Sequence, residues 1–321
     1  MNDTENLIFS LNATMPVFLL MVLGYVLQRK TLLLNEQFAD YLNTFVFKLA
    51  LPVQLFKSLS QEDFHAVWDG GIVLFCFGVS LASILLLLLG LSAFLRNRSL
   101  RAEFVQAGYR GSQALLGVAL LQNIYGSSAG GGSLALVIIG AVPLYNVAAV
   151  LLLTLLAPGG HLDQKTVGKA LRGIVTNPII LGIAAGLAWS LLRLPQPLIL
   201  QRTVSNLAST ATPLGLLALG ASIDPKKMAG YWKPTFVASL FKLVLFVVLF
   251  LPLAVKLGYR GETLVALLIM LGSPATVSAF SMARSMGHEG VLSASAVMLT
   301  TVCSAFTFTV WLYLLKTLTL I

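Results

Sequence analysis

LVALLIMLGSPATVSAF, residues Leu264 to Phe280, is apolar enough to lie in a bilayer, yet Gly272-Ser273-Pro274 interrupts it near its middle. Pro274 has no N–H to donate, and its ring clashes with the carbonyl one turn back. The residue before it, Ser273, is pushed out of helical dihedrals. In lipid, each freed backbone group is costly unless protein or a water-filled cavity satisfies it. A helix broken at membrane depth is therefore either a packed kink or part of a binding site.

The composition around this stretch excludes a soluble globular protein. The chain has 321 residues, is 57% hydrophobic and 10% charged, and has a mean hydropathy of +0.89. Soluble domains carry about a quarter charged residues. Cys76 and Cys303 both lie in apolar stretches and read as small buried hydrophobes, not a disulfide or a metal pair. The net charge of +9 comes from basic residues scattered in short loops, which fits a membrane protein better than a nucleic-acid binder. The N-terminal MNDTENL is acidic and lacks the basic n-region of a cleavable signal peptide.

Apolar runs of membrane-spanning length fall at about 7–27, 38–57, 71–95, 102–124, 134–157, 168–192, 203–222, 235–257, 262–286 and 291–315. The expected fold is an all-α integral membrane protein of ten transmembrane helices, forming a single membrane domain. Gly126 to Ser133 reads as a tight polar turn; no Gly-Lys-Ser/Thr follows to bind phosphate. Loops after odd-numbered runs hold twelve Lys and Arg residues and those after even-numbered runs hold six. That bias places the odd loops in the cytoplasm and both termini outside the inner (cytoplasmic) membrane.

The two halves of the chain match each other. Pro16 pairs with Pro178 and Gly24 with Gly186 at a spacing of 162; Pro52 pairs with Pro213 and Gly111-Ser112 with Gly272-Ser273 at 161. Residues 1–160 and 161–321 thus read as two five-helix repeats. An odd number of helices forces the second repeat to insert upside down. Inverted repeats are a recurrent design of secondary transporters, with binding near the midplane where discontinuous helices meet. The fourth and ninth runs are the equivalent interrupted helices and are expected to cross.

The residues at these places resemble a family. Arg110-Gly111-Ser112-Gln113-Ala114-Leu115-Leu116-Gly117-Val118-Ala119-Leu120 is similar to the RGNxGFxGxPL pattern of the auxin efflux carrier family, which includes bacterial malonate and malate permeases. Gly272-Ser273-Pro274-Ala275 resembles its second crossover segment, and Leu23-Gly24-Tyr25 with Ala50-Leu51-Pro52 its first two helices. The likeness covers essentially the whole chain. It implies ten helices divided into a scaffold part and a transport part with two crossing broken helices, and carriage of small organic anions. Ser112 stands where the family usually has Asn and Ala119 where it usually has Pro, so Gly108, Gly111 and Gly117 supply the flexibility of the fourth run. Lys48 occupies a position where a neutral polar residue is expected.

The substrate-binding candidates cluster at the two breaks. Arg110, about eight residues into its span, costs roughly 2.5–3.5 kcal/mol at membrane depth and so faces a cavity or a partner. It can grip a carboxylate in bidentate fashion, or be tied to backbone carbonyls with no ligand. Gly111, Ser112, Gln113, Gly272, Ser273, Pro274, Thr276 and Ser278 make up the breaks. The half-helix N-termini beyond them offer free N–H groups and partial positive charge to an anion. The plainer role of those hydroxyls is to bond their own helix or glue neighbouring helices.

Lys48, one turn before Pro52 and Gln54, can attract an anion or snorkel; Lys242, deep in the eighth run, reads as structural. Asn146, three residues after Pro143, is a weaker candidate, equally suited to an interhelical hydrogen bond. All twelve acidic residues lie outside the runs or in their terminal turns, so no central carboxylate serves as a sodium or proton relay. His65, His161 and His288 are too scattered to form a metal site.

The expected function is a permease moving a small organic anion, a carboxylate, by alternating access. No cofactor is called for, and coupling to a proton or to sodium stays open, as does assembly into a homodimer. An intramembrane enzyme needs paired aspartates, a zinc helix or a Ser-His dyad within the spans, and none is present. A ligand-sensing receptor is the other alternative, binding without net transport.

Overall fold

The computed structural model describes residues 16, 19–31, 34–61, 63, 65, 68–91, 94, 95, 97–113, 121, 124, 125, 132–157, 164–223 and 225–321. Among these residues the regular structure is all helical, with no named strand and only one isolated bridge. Helix α1 covers residues 19–30. Helix α2 runs as Glu36–Phe45, a π-helical turn Val46–Ala50 and Leu51–Ser60. Next come α3 (Gly70–Leu85, continued by the π-helical Leu86–Leu91), α4 (Arg98–Tyr109), α5 (Gly132–Leu155), α6 (Gln164–Val175) and α7 (Pro178–Leu191). The remainder are α8 (Leu198–Ser209), α9 (Ala211–Ala221), α10 (Pro225–Gly230), α11 (Trp232–Lys256), α12 (Gly261–Gly272), α13 (Val277–Ser285) and α14 (Val291–Thr317). Stretches within α3, α5, α11 and α14 are long and apolar enough to cross a membrane.

Short polar caps decide where these helices start. Asn35, Asp69, Asn97 and Asn177 each accept backbone N–H bonds at the first turn of α2, α3, α4 and α7. Asn177 also explains a departure from the expected single helix over 168–192. Its side chain accepts from Ile179 N at 2.9 Å, and Pro178 takes the first helical position, where a missing N–H does no harm. The chain therefore breaks into α6 and α7. The run 203–222 is likewise divided at Thr210, ahead of Pro213.

Glycines set the tightest helix contacts. A Cβ on Gly182 would stand 2.5 Å from the Pro52 carbonyl oxygen, and one on Gly186 2.8 Å from that of Phe56, so α7 lies directly on α2. A Cβ on Gly24 would meet the Leu217 carbonyl and one on Gly220 the Met21 carbonyl, which seats α1 on α9. The pairs Gly24–Leu217 and Gly186–Phe56 correspond through spacings of 162 and 161. Small residues that let backbones approach are the usual basis of helix packing in lipid. Gly220→Val should therefore force α1 away and cost about 1–3 kcal/mol of overpacking, read as a lower Tm in detergent. An unchanged Tm would mean that α1 is not held by this contact.

Contacts between helix ends fall into two groups. Arg284 donates to Asp40 at 2.6 Å, Ser99 Oγ lies 2.7 Å from His288 Nδ1, and His288 Nε2 is 2.8 Å from the Leu153 carbonyl. These positions lie at the ends of odd-numbered apolar runs, in the loops after them, or, for Asp40, at the start of the run that follows. Arg193 pairs with Asp63 at 3.8 Å, Lys57 donates to Ser205 at 2.9 Å, and Gly261 N donates to Leu320 O at 3.0 Å. These positions lie at the ends of even-numbered runs or the starts of the runs that follow. Each of these contacts joins positions within one group.

One acidic residue behaves differently from its place in the sequence. Glu103, in the terminal turn of its apolar run, is 0% exposed. Its two carboxylate oxygens accept from Gly290 N at 3.0 Å and Ser293 N at 3.1 Å, capping α14. An anion at a helix N-terminus satisfies orphan N–H groups and complements the helix dipole. Its position supports α14.

Candidate functional site

The break predicted at Pro274 is present. α12 ends at Gly272, Ser273 is extended at φ −66°, ψ 152°, and α13 begins after Thr276. The counterpart break is present too: α4 ends at Tyr109 and Arg110 is extended at φ −78°, ψ 113°. The two non-helical segments meet. Gly111 and Ala275 form an antiparallel bridge, with Ser112 N donating to Pro274 O at 3.0 Å and Thr276 N to Arg110 O at 3.3 Å. Each break thus satisfies backbone groups that the other leaves free, as burial demands. Ala275 N, unable to continue the helix, donates to Thr300 Oγ1 of α14 at 2.9 Å.

The structural breaks do not share the Gly-Ser register. The helix ends, Tyr109 and Gly272, are 163 apart, not 161. Gly111 lies past its helix in the bridge, whereas Gly272 is the last helical residue of its own. Pro274 fixes the second break by geometry. The first is allowed by Gly111, since a Cβ there would stand 2.8 Å from Lys242 Nζ and 3.0 Å from Gln113 Oε1. Residues 114–120 of the fourth run, including Gly117 and Ala119, lie outside the described residues, as does most of the Gly126 to Ser133 turn.

A cavity of about 80 Å³ opens beside the crossing. Arg110, Gly111, Ser112, Gln113, Thr276 and Ser278 line it on the crossing side, and Asn146 joins them from α5. Gln54 of α2 and Thr212 of α9 complete its polar wall. Thr212 was missed by motif reading, although Leu51, which also lines the cavity, precedes Pro52 as Thr212 precedes Pro213. Gly272, Ser273 and Pro274 shape the crossing without lining the cavity. Lys48 is not brought to it: the side chain is exposed on α2, while Val46 and Leu51 face the cavity.

Arg110 is the chemical centre. It is 2% exposed, and its guanidinium donates to Asn146 Oδ1 and Ser278 Oγ at 3.0 Å each, and to Gln106 Oε1 at 3.4 Å. Met282 Sδ lies 3.3 Å from Nη1. Among the described residues its acceptors are side chains, not the backbone carbonyls of the broken helix. Asn146 is fixed in turn, its amide donating to Val142 O at 2.8 Å. All four acceptors are neutral, and among the described residues no carboxylate lies within ion-pair distance of Arg110. A buried cation without a counterion carries a large desolvation cost. The N-terminal end of α13, capped by Thr276 accepting from Ser278 N, adds partial positive charge to the same wall. This arrangement favours a small anion.

Comparison with known proteins gives a consistent picture. The profile of a family described as "Membrane transport protein" matches residues 9–312. A protein of Rhizobium meliloti (strain 1021) named "Putative malonate transporter" is 28% identical over 323 aligned positions, covering 94% of this chain and 94% of that protein.

Proposed function

The chain belongs to the membrane transport protein family, the auxin efflux carriers its motifs resemble, and we propose that it carries a small carboxylate through the cavity at the crossing. It is a multi-pass membrane transporter and not an enzyme. The single observation that carries the substrate class is Arg110, buried among four neutral acceptors and lining the cavity. A carboxylate supplies the missing counterion and accepts two of its N–H bonds by replacing neutral acceptors that now hold them.

Size narrows the class. A water needs about 10–15 Å³ of such space. A cavity of about 80 Å³ therefore admits a carboxylate of a few heavy atoms and excludes bulky aromatic acids without rearrangement. The relative named for malonate makes a short dicarboxylate the first substrate to try.

Alternating access follows from the architecture proposed here: ten helices in two inverted five-helix repeats, crossing at Gly111 and Ala275. The repeat register and the equivalent contacts Gly24–Leu217 and Gly186–Phe56 support it. The lysine and arginine bias supports an orientation with the odd-numbered loops in the cytoplasm and both termini outside the inner membrane. The deciding measurement is uptake of labelled malonate, malate and acetate into proteoliposomes. Saturable uptake of at least one is expected, and no flux of any carboxylate would sink the proposal.

Asn146→Asp is a sharper test of the missing counterion. The substitution puts a carboxylate oxygen where Asn146 Oδ1 now accepts from Arg110 at 3.0 Å. The internal anion should raise Tm and compete with substrate, raising KM by about tenfold or more, as a coupling of about 1.4 kcal/mol implies. A variant with unchanged KM would show that substrate does not use this face of Arg110.

A further inference from the structure

Lys242 is the second buried cation at the crossing, and the carboxylate site does not use it. It is 1% exposed and lies in the π-helical turn Phe241–Leu245 of α11. Its Nζ donates to Met270 O and Leu271 O at 2.9 Å each. These carbonyls are orphaned by the break itself. Met270 would accept from residue 274, which is proline, and Leu271 from Ala275, whose N–H goes to Thr300. The last carbonyls of a half-helix carry partial negative charge, and such ends hold cations in transporters built on broken helices.

The oxygens around the ammonium exceed what it uses. Ser273 Oγ and Gln113 Oε1 surround the same notch at Gly111 as Lys242 Nζ. Ser273 is 0% and Gln113 1% exposed, and neither oxygen makes a hydrogen bond among the described residues. Buried polar atoms without partners are rare and call for an explanation. Two carbonyls, a hydroxyl and an amide oxygen are neutral, hard donors of the kind that coordinate alkali-metal ions. Among the described residues no carboxylate pairs with Lys242.

We propose that the Lys242 ammonium is a built-in cation, occupying an oxygen-lined site at the end of α12 that would otherwise take a free monovalent metal ion. The wild-type crossing then needs no sodium to hold its shape. Removing the ammonium leaves Met270 O, Leu271 O, Ser273 Oγ and Gln113 Oε1 around a space that sodium or potassium can enter. The proposal goes beyond the carboxylate reading and does not depend on which anion is carried.

The test uses full-length purified protein with no carboxylate present. Wild type, Lys242→Gln and Lys242→Ala are purified and melted in equal concentrations of sodium, potassium or N-methylglucamine chloride. Wild-type Tm should agree across the three salts to within about 1 °C, since a ligand that does not bind shifts nothing. At least one variant should melt lower in N-methylglucamine and recover by about 3–6 °C, saturably, in sodium or potassium. A sodium-specific rise in wild type overturns the proposal. So does a failure of both variants to respond to either metal, or to be recovered in any of the salts. None of these outcomes touches wild-type carboxylate uptake, so failure here is distinct from failure of the anion reading.

Discussion

Arg110→Met should abolish carboxylate flux while leaving the protein about as heat-stable as the parent. Two charge-assisted hydrogen bonds to a carboxylate are worth roughly 1.5–3 kcal/mol each, so losing both weakens binding by about 10²–10⁴-fold. Stability responds differently, because the guanidinium is buried with neutral partners at 3.0 Å from Asn146 and Ser278. Removing it sacrifices those hydrogen bonds but also lifts a desolvation cost of about 2.5–3.5 kcal/mol for a charge at membrane depth. The two terms are similar and opposed. Methionine keeps much of the apolar stem's volume, so Tm is expected to move by only a few degrees. Arg110→Lys separates charge from shape: a lysine keeps the positive charge but loses the planar fork that matches a carboxylate. It should retain weak flux with a raised KM. The decisive pair of measurements is Tm and uptake on the same preparations. A folded Arg110→Met that transports within about threefold of the parent would remove Arg110 from the site.

The same residue shows how far the sequence could be read. An arginine eight residues into an apolar run marks a cavity or a partner, and the structure provides both. What the run cannot display is the neutrality of the shell. Asn146 and Ser278 come from helices 36 and 168 positions away, and only packing brings them to the guanidinium. Pro274 was legible because proline removes a donor wherever it stands. Its partner break was legible through the internal register and the family resemblance, and that register is off by two residues in space, since glycine permits a break without fixing its place.

Lysines were harder to read. Lys48 and Lys242 look alike in sequence, each deep in an apolar run. One side chain faces outward and is exposed; the other is buried against carbonyls of the next helix, at the end that Pro274 breaks. Hydropathy carries no signal for that difference, because it depends on which face of the helix meets the crossing. The division of 168–192 is a milder case. Asn177-Pro178 is a strong helix-start signal, but it sits inside a run that composition reads as continuous.

Pro274→Ala tests whether the break is the device or only its setting. Alanine at 274 regains an N–H, and the acceptor it would seek is Met270 O, now bonded to Lys242 at 2.9 Å. Residue 275 would likewise turn from Thr300 toward Leu271 O. Helix propensity at the site improves by about 3 kcal/mol when proline becomes alanine, which exceeds the roughly 0.5–1.5 kcal/mol of a typical hydrogen bond that opposes it. The chain from α12 into α13 is then expected to close toward a continuous helix. Closure would pull Ala275 out of its bridge with Gly111 and strip Ser112 N and Arg110 O of their partners. It would also carry Ser278 away from Arg110, opening the cavity wall that holds the guanidinium. The variant should therefore stay folded, with Tm equal to or above the parent, and lose carboxylate flux by about tenfold or more, the equivalent of about 1.4 kcal/mol at the site. Amide exchange supplies an independent reading: protection should rise across residues 273–278 as the helix closes. Full flux with raised protection would mean that a continuous helix transports as well as a broken one, and the crossing would lose its role.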